Sequence, residues 1–122
     1  MSPFLNLCEV VKHQYGMIAS TLIQDRFKNK ENIVKVQCPT FILHGLKDKI
    51  IPVSHSRELY SMFTNIYTLG LCGGQCQLIT PLYMDHVRFL FTEDFTDPLK
   101  DFMRANNLLE KKSKNTFMKK SN

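Results

Sequence analysis

Apolar residues are grouped most tightly in the run Thr40-Phe41-Ile42-Leu43, which Pro39 opens and Gly45 closes. An unbroken apolar run with these boundaries predicts a strand buried on both faces, as in a parallel sheet. A loop over residues 46–53 follows, with Asp48 near its start. Ser54 is then read as the N-cap of a helix over 55–63, whose inner side takes Leu59, Tyr60, Met62 and Phe63. The Gly-rich stretch 69–75 predicts a turn, and 76–80 a second strand that Pro81 stops. A second loop carries Met84-Asp85-His86. Residues 91–109 read as helix, with Asp97 before Pro98 marking a fresh start or a kink. There Leu99, Phe102 and Met103 show the spacing of a packed face. Ahead of all this, the scattered apolar positions of 5–27 fit one or two short helices broken near Gly16.

The order is strand, loop, helix, strand, loop, helix, which indicates an α/β fold with a parallel sheet. In such sheets catalytic and binding groups collect beyond the carboxyl ends of the strands. Asp48 and His86 both fall at that edge, on successive loops. A carboxylate there can hold an imidazole in one tautomer and stabilise its cation during acyl transfer. Each residue also has a plainer reading: Asp48 as a turn residue between Lys47 and Lys49, and His86 as a solvent-exposed side chain.

Composition adds limits rather than direction. Hydrophobic residues make up 43% and charged residues 22% of the 122, ordinary values that exclude wholesale disorder. The net charge of +5 would suggest nucleic acid or an anionic membrane if it covered a folded face. Instead Lys111, Lys112, Lys114, Lys119 and Lys120 carry the whole excess. The expected organisation is a folded unit over 1–109 and a Lys-rich, disordered tail over 110–122. No nucleic acid is expected as a partner. The tail reads as a solvated end, with weak contact to an anionic membrane surface as the alternative. Cys8, Cys38, Cys72 and Cys76 follow no disulfide framework and no secretory signal precedes them. The expected setting is therefore cytoplasmic, with membrane association as an alternative.

The segment Pro39-Thr-Phe-Ile-Leu-His44-Gly-Leu-Lys-Asp48-Lys-Ile-Ile-Pro52 resembles the acid loop of α/β-hydrolases. Their pattern there is Pro, an apolar strand, His-Gly, two residues, Asp, two residues, then an apolar residue and often Pro. Asp25-Arg26-Phe27 with residues 33–36 is similar to the run-in of the depalmitoylase (acyl-protein thioesterase) branch. Asp85-His86 resembles the histidine loop, and Asp48 before His86 agrees with the chain order Ser, Asp, His. The resemblance spans roughly residues 2–104. It implies the C-terminal portion of such a sheet, about two parallel core strands with flanking helices, the N-terminal half lying outside this sequence. It also implies serine-hydrolase chemistry on an ester, thioester or amide, with Asp48 as orienting acid, His86 as general base and no cofactor. No G-x-S-x-G elbow occurs in the chain, and Leu82-Tyr83-Met84 stands where the family commonly has a glycine. A chain of this kind alone is expected to be inactive, and the alternative is a non-enzymatic interaction module.

Other candidates are weaker. His44 reads as a structural strand end, His55 as a surface residue beside Ser54 and Ser56, and His13 has no partner in view. Cys72 and Cys76 flank Gly73-Gly74, but no four-ligand zinc spacing completes them, and no metal is expected.

Overall fold

The computed structural model describes residues 2–24, 26–71 and 73–109. Its sheet consists of β1 (Thr40–Leu43) and β2 (Cys76–Ile79), paired in parallel with Thr40 opposite Cys76 and Leu43 opposite Ile79. This is the α/β arrangement expected, two parallel strands with flanking helices. The tail over 110–122 and the residues Asp25 and Cys72 lie outside the described residues.

Successive strand residues point to opposite faces, and each face of β1 is covered. Phe41 meets Phe102 with ring centroids 5.4 Å apart, which seats helix α5 (Asp97–Ala105) on one side. Ile42 turns the other way and joins Leu5 and Leu59 in the buried cluster, with Leu59 supplied by helix α4 (Val53–Thr68). Burying such side chains contributes about 2 kcal/mol each. The two-sided cover explains why the sequence of β1 is continuous rather than alternating.

Helix α4 departs from the expected 55–63 at both ends. Pro52, not Ser54, precedes its first turn, and no side chain caps it. The His55 amide already donates to the Pro52 carbonyl at 3.1 Å, so Ser54 lies inside the helix. At the far end the polar residues after Phe63 continue the helix to Thr68. The hydroxyls of Thr64 and Thr68 donate to the carbonyls one turn back, of Tyr60 at 3.0 Å and Thr64 at 2.8 Å. Strand β2 stops at Ile79, one residue short of the expected end.

The expected helix over 91–109 is divided. Phe91–Thr96 forms a π-helical turn, and α5 begins at Asp97 with Pro98 in its first turn. Proline offers no amide to an earlier carbonyl, so the wider turn ends where that donor is missing. Helix α5 closes at Ala105, and Asn106 Nδ2 donates to the Phe102 carbonyl at 2.9 Å.

In the N-terminal segment α1 (Leu7–Tyr15) and α2 (Met17–Thr21) flank Gly16, whose φ of 86° breaks the helix as expected. The short α3 (Asn29–Asn32) and a 3-10 turn (Ile33–Lys35) lead towards β1. Gln14 Nε2 donates to the carbonyls of Lys49 and Ile50 at 3.0 and 2.7 Å, tying α1 to the loop after β1. No helix among the described residues is long and apolar enough to cross a membrane.

Candidate functional site

The loop after β1 is built around one carboxylate. Asp48 Oδ1 accepts the amides of Ile50 and Ile51, each at 2.9 Å, and the Asp48 amide donates to the Gly45 carbonyl at 3.2 Å. Burial opposes ionisation of this carboxyl. The Ile51 amide, His86, the Ser2 hydroxyl and the Ile50 amide together outweigh it and hold the group below its ordinary value. The Asp48 side chain is therefore a buried anion.

Its second oxygen faces the other loop. Asp48 Oδ2 and His86 Nδ1 are 2.9 Å apart, across 38 positions of sequence. A carboxylate can only accept, so Nδ1 of His86 carries the proton. Nε2 is left as the basic nitrogen, with no hydrogen-bond partner among the described residues. The Asp48 side chain is 0% exposed and that of His86 36%, so the carboxylate is enclosed and the imidazole reaches the surface.

Close packing between the two loops sets this distance. A Cβ on Gly45 would lie 2.2 Å from the Met84 carbonyl oxygen, so glycine is required for the approach. The Lys47 amide donates to that same carbonyl at 3.0 Å, and the Leu46 amide to that of Pro81 at 3.1 Å. Met84 is buried at this contact. Within the histidine loop, Asp85 Oδ1 accepts the amides of Val87 at 2.8 Å and Arg88 at 2.6 Å. Those amides, Arg88 first, hold the Asp85 carboxyl below its ordinary value. The residue before His86 is therefore a turn-forming anchor.

Around His86 lies an open pocket of about 650 Å³, lined also by Lys47, Lys49 and Arg88. None of these three cations has an ion-pair partner within 4.0 Å among the described residues. Lys47 Nζ rests 4.8 Å from the centroid of the Tyr83 ring, a cation–π contact.

Beneath the pair is a second polar cluster that spacing did not reveal. His44 is fully buried. Its Nε2 donates to the Ile51 carbonyl at 2.8 Å, and its Nδ1 accepts from the Ser56 hydroxyl. Burial lowers its pKa and keeps the ring neutral. Its 3.6 Å contact with Asp48 Oδ2 is therefore dipolar rather than an ion pair. His55, expected at the surface, is buried too, and its Nδ1 accepts the Leu5 amide at 3.3 Å. The cause is the N-terminal segment, which folds over the start of α4. Ser2, also buried, donates its amide to the Leu43 carbonyl at 2.8 Å beside the same site. Among the described residues, no group of three or more His, Cys, Asp or Glu side chains is arranged to hold a metal ion.

No family model matches the chain, and no solved structure matches it. Two relatives do. The chain is 27% identical over 121 residues to Lysophosphatidylserine lipase ABHD12 of Danio rerio, a match covering 85% of this chain and 31% of that protein. It is 29% identical over 62 residues to a protein provisionally named an alpha/beta hydrolase in Acanthamoeba polyphaga mimivirus, covering 49% of this chain and 21% of that one. Both matches support the α/β-hydrolase superfamily and a hydrolase-like fragment. The chain spans less than a third of either relative's length.

Proposed function

We propose that the chain supplies the acid and the base of a serine-hydrolase site, with Asp48 orienting His86 and His86 acting as general base. The observation behind this reading is the 2.9 Å contact of His86 Nδ1 with the buried Asp48, at the carboxyl ends of two neighbouring parallel strands. In such a site a hydroxyl passes its proton to Nε2 as its oxygen attacks the acyl carbon. The imidazolium formed is stabilised by the carboxylate and returns the proton to the leaving group. The nucleophile and the oxyanion donors come from polypeptide outside this sequence.

The substrate is an ester, thioester or amide. The surroundings of His86 favour an anionic ester, since Lys47, Lys49 and Arg88 line its pocket against one carboxylate, Asp85. The Danio rerio relative is by name a lysophosphatidylserine lipase. The thioesterase variant of the same chemistry rests on the run-in around Arg26-Phe27 and residues 33–36. A second reading, an interaction module that completes a partner's sheet, is favoured by a groove of about 280 Å³ lined by all four residues of β1.

Fluorophosphonate capture from source cells, read with an antibody to residues 111–122, separates the two readings. A captured protein well above 14.2 kDa is expected for the hydrolase. In that protein Asp48→Asn and His86→Ala each lower turnover by about a thousandfold or more. An uncaptured, monodisperse species of 14.2 kDa that unfolds cooperatively overturns the hydrolase reading in favour of the module.

A further inference from the structure

We infer that His44 is a positioning residue for Asp48, acting as a buried clamp that closes the acid loop on itself and fixes the carboxylate beneath His86. The inference rests on the reading of Asp48 and His86 as acid and base. His44 and Ile51 bracket the loop, seven positions apart, and the Nε2–carbonyl bond between them shuts it. Ile51 takes part twice: its amide holds Asp48 Oδ1, while its carbonyl is held by His44. Fixing that carbonyl fixes the orientation of the residue whose amide aims the acid. The Nε2 atom of His44 also stands 3.6 Å from Asp48 Oδ2, the oxygen that meets His86.

Ser56 makes the clamp unambiguous. A neutral imidazole has one N–H, and only the tautomer with the proton on Nε2 can donate to Ile51. A hydroxyl donated to Nδ1 selects that tautomer, and Ser56, on the first turns of α4, is placed to donate it. The Pro3 carbonyl, 3.4 Å from the same hydroxyl, is the more distant acceptor. Both nitrogens of His44 are thus committed and enclosed, whereas His86 commits one and leaves the other towards the pocket. The two histidines have opposite tautomers because their partners differ: a carbonyl at Nε2 for His44, a carboxylate at Nδ1 for His86.

The test uses imidazole nitrogen and proton NMR of the full chain. The expected wild-type spectrum shows His44 protonated at Nε2 and His86 protonated at Nδ1. In His44→Leu, with cooperative unfolding retained, the His86 Nδ1 proton exchanges about fivefold faster or is lost, the factor one hydrogen bond supplies. In His44→Gln, whose amide can donate to Ile51, protection is largely restored. Should His44→Leu fail to fold, Ser56→Ala decides: a mixed His44 tautomer with faster exchange at His86 supports the clamp. Unchanged His86 exchange in a folded His44→Leu, or in Ser56→Ala, overturns the positioning role alone. A wild-type His86 without an Nδ1 proton overturns the acid–base reading itself, and this inference with it.

Discussion

The two loops that meet at the site are built on opposite plans. In the acid loop Asp48 is enclosed, with two backbone amides on one oxygen, His86 on the other and His44 behind. The histidine loop is open: Val87 is 75% exposed and Tyr83 78%, and one turn around Asp85 with the buried Met84 anchors it. A base has to move a proton and meet a substrate, so it needs access. An orienting acid needs only a fixed position, and enclosure provides that. The difference in burial is the one that the proposed roles of Asp48 and His86 require.

The largest break comes from removing the acid. Asp48→Ala leaves the amides of Ile50 and Ile51 without their acceptor and His86 without a partner. The enclosed Ile51 amide alone costs about 1–3 kcal/mol, and the more exposed Ile50 amide and His86 ring each add less, so a loss of roughly 3–4 kcal/mol is expected in urea unfolding. Gly45→Ala comes next. The added Cβ meets the Met84 backbone, which cannot swing aside as a flexible side chain would. About 2–3 kcal/mol of destabilisation is expected, with the His86–Asp48 contact lengthened and visible as a changed His86 ring resonance.

Acidification gives a smaller, graded loss. Burial lowers the pKa of both His44 and His55 from 6.5. Above that value the folded and unfolded chains are both neutral at these rings and stability is full. As pH falls below it, the unfolded chain takes up protons that the folded chain refuses, and stability declines until the folded pKa values are reached. The contribution of Asp48 is lost only lower still, because its folded pKa lies below 3.8. Urea midpoints at about pH 7.5 and about pH 5 should therefore differ, and His44→Gln or His55→Gln should each reduce the difference. Equal midpoints would mean that these rings are not enclosed in solution.

The placement of Asp48 and His86 was legible in the sequence because it follows from a rule about topology. Two parallel strands put their following loops at one edge, whatever fills the core. The run Thr40–Leu43 announced its strand for a similar reason, needing apolar residues on both faces. The start of α4 was misread because a serine beside a helix looks like a cap, while the turn shaped by Asp48 delivers the chain into the helix at Pro52. The His44–Ser56 contact had no local signature: twelve positions separate the two, across a loop and into a helix. Pro98 announced a break in the last helix but not the π-turn that accommodates it. Patterns set by one element or by the parallel topology of the strands were readable, and bonds that depend on how particular side chains of separate elements pack were not.

The smallest expected effect is also the most discriminating. His86→Ala removes a side chain that is already 36% exposed and opens a path for water to Asp48 Oδ2. Solvent then replaces the lost donor, and the amides of Ile50 and Ile51 still hold the other oxygen. The expected loss is about 1 kcal/mol or less, well short of that for Asp48→Ala. If urea unfolding instead shows the two substitutions costing the same, His86 is a brace for the acid loop rather than a base presented by it. The asymmetry between the loops would then be one of exposure alone. A large gap means that the fold depends on Asp48 and tolerates the loss of His86, as the proposed split between an orienting acid and a presented base requires.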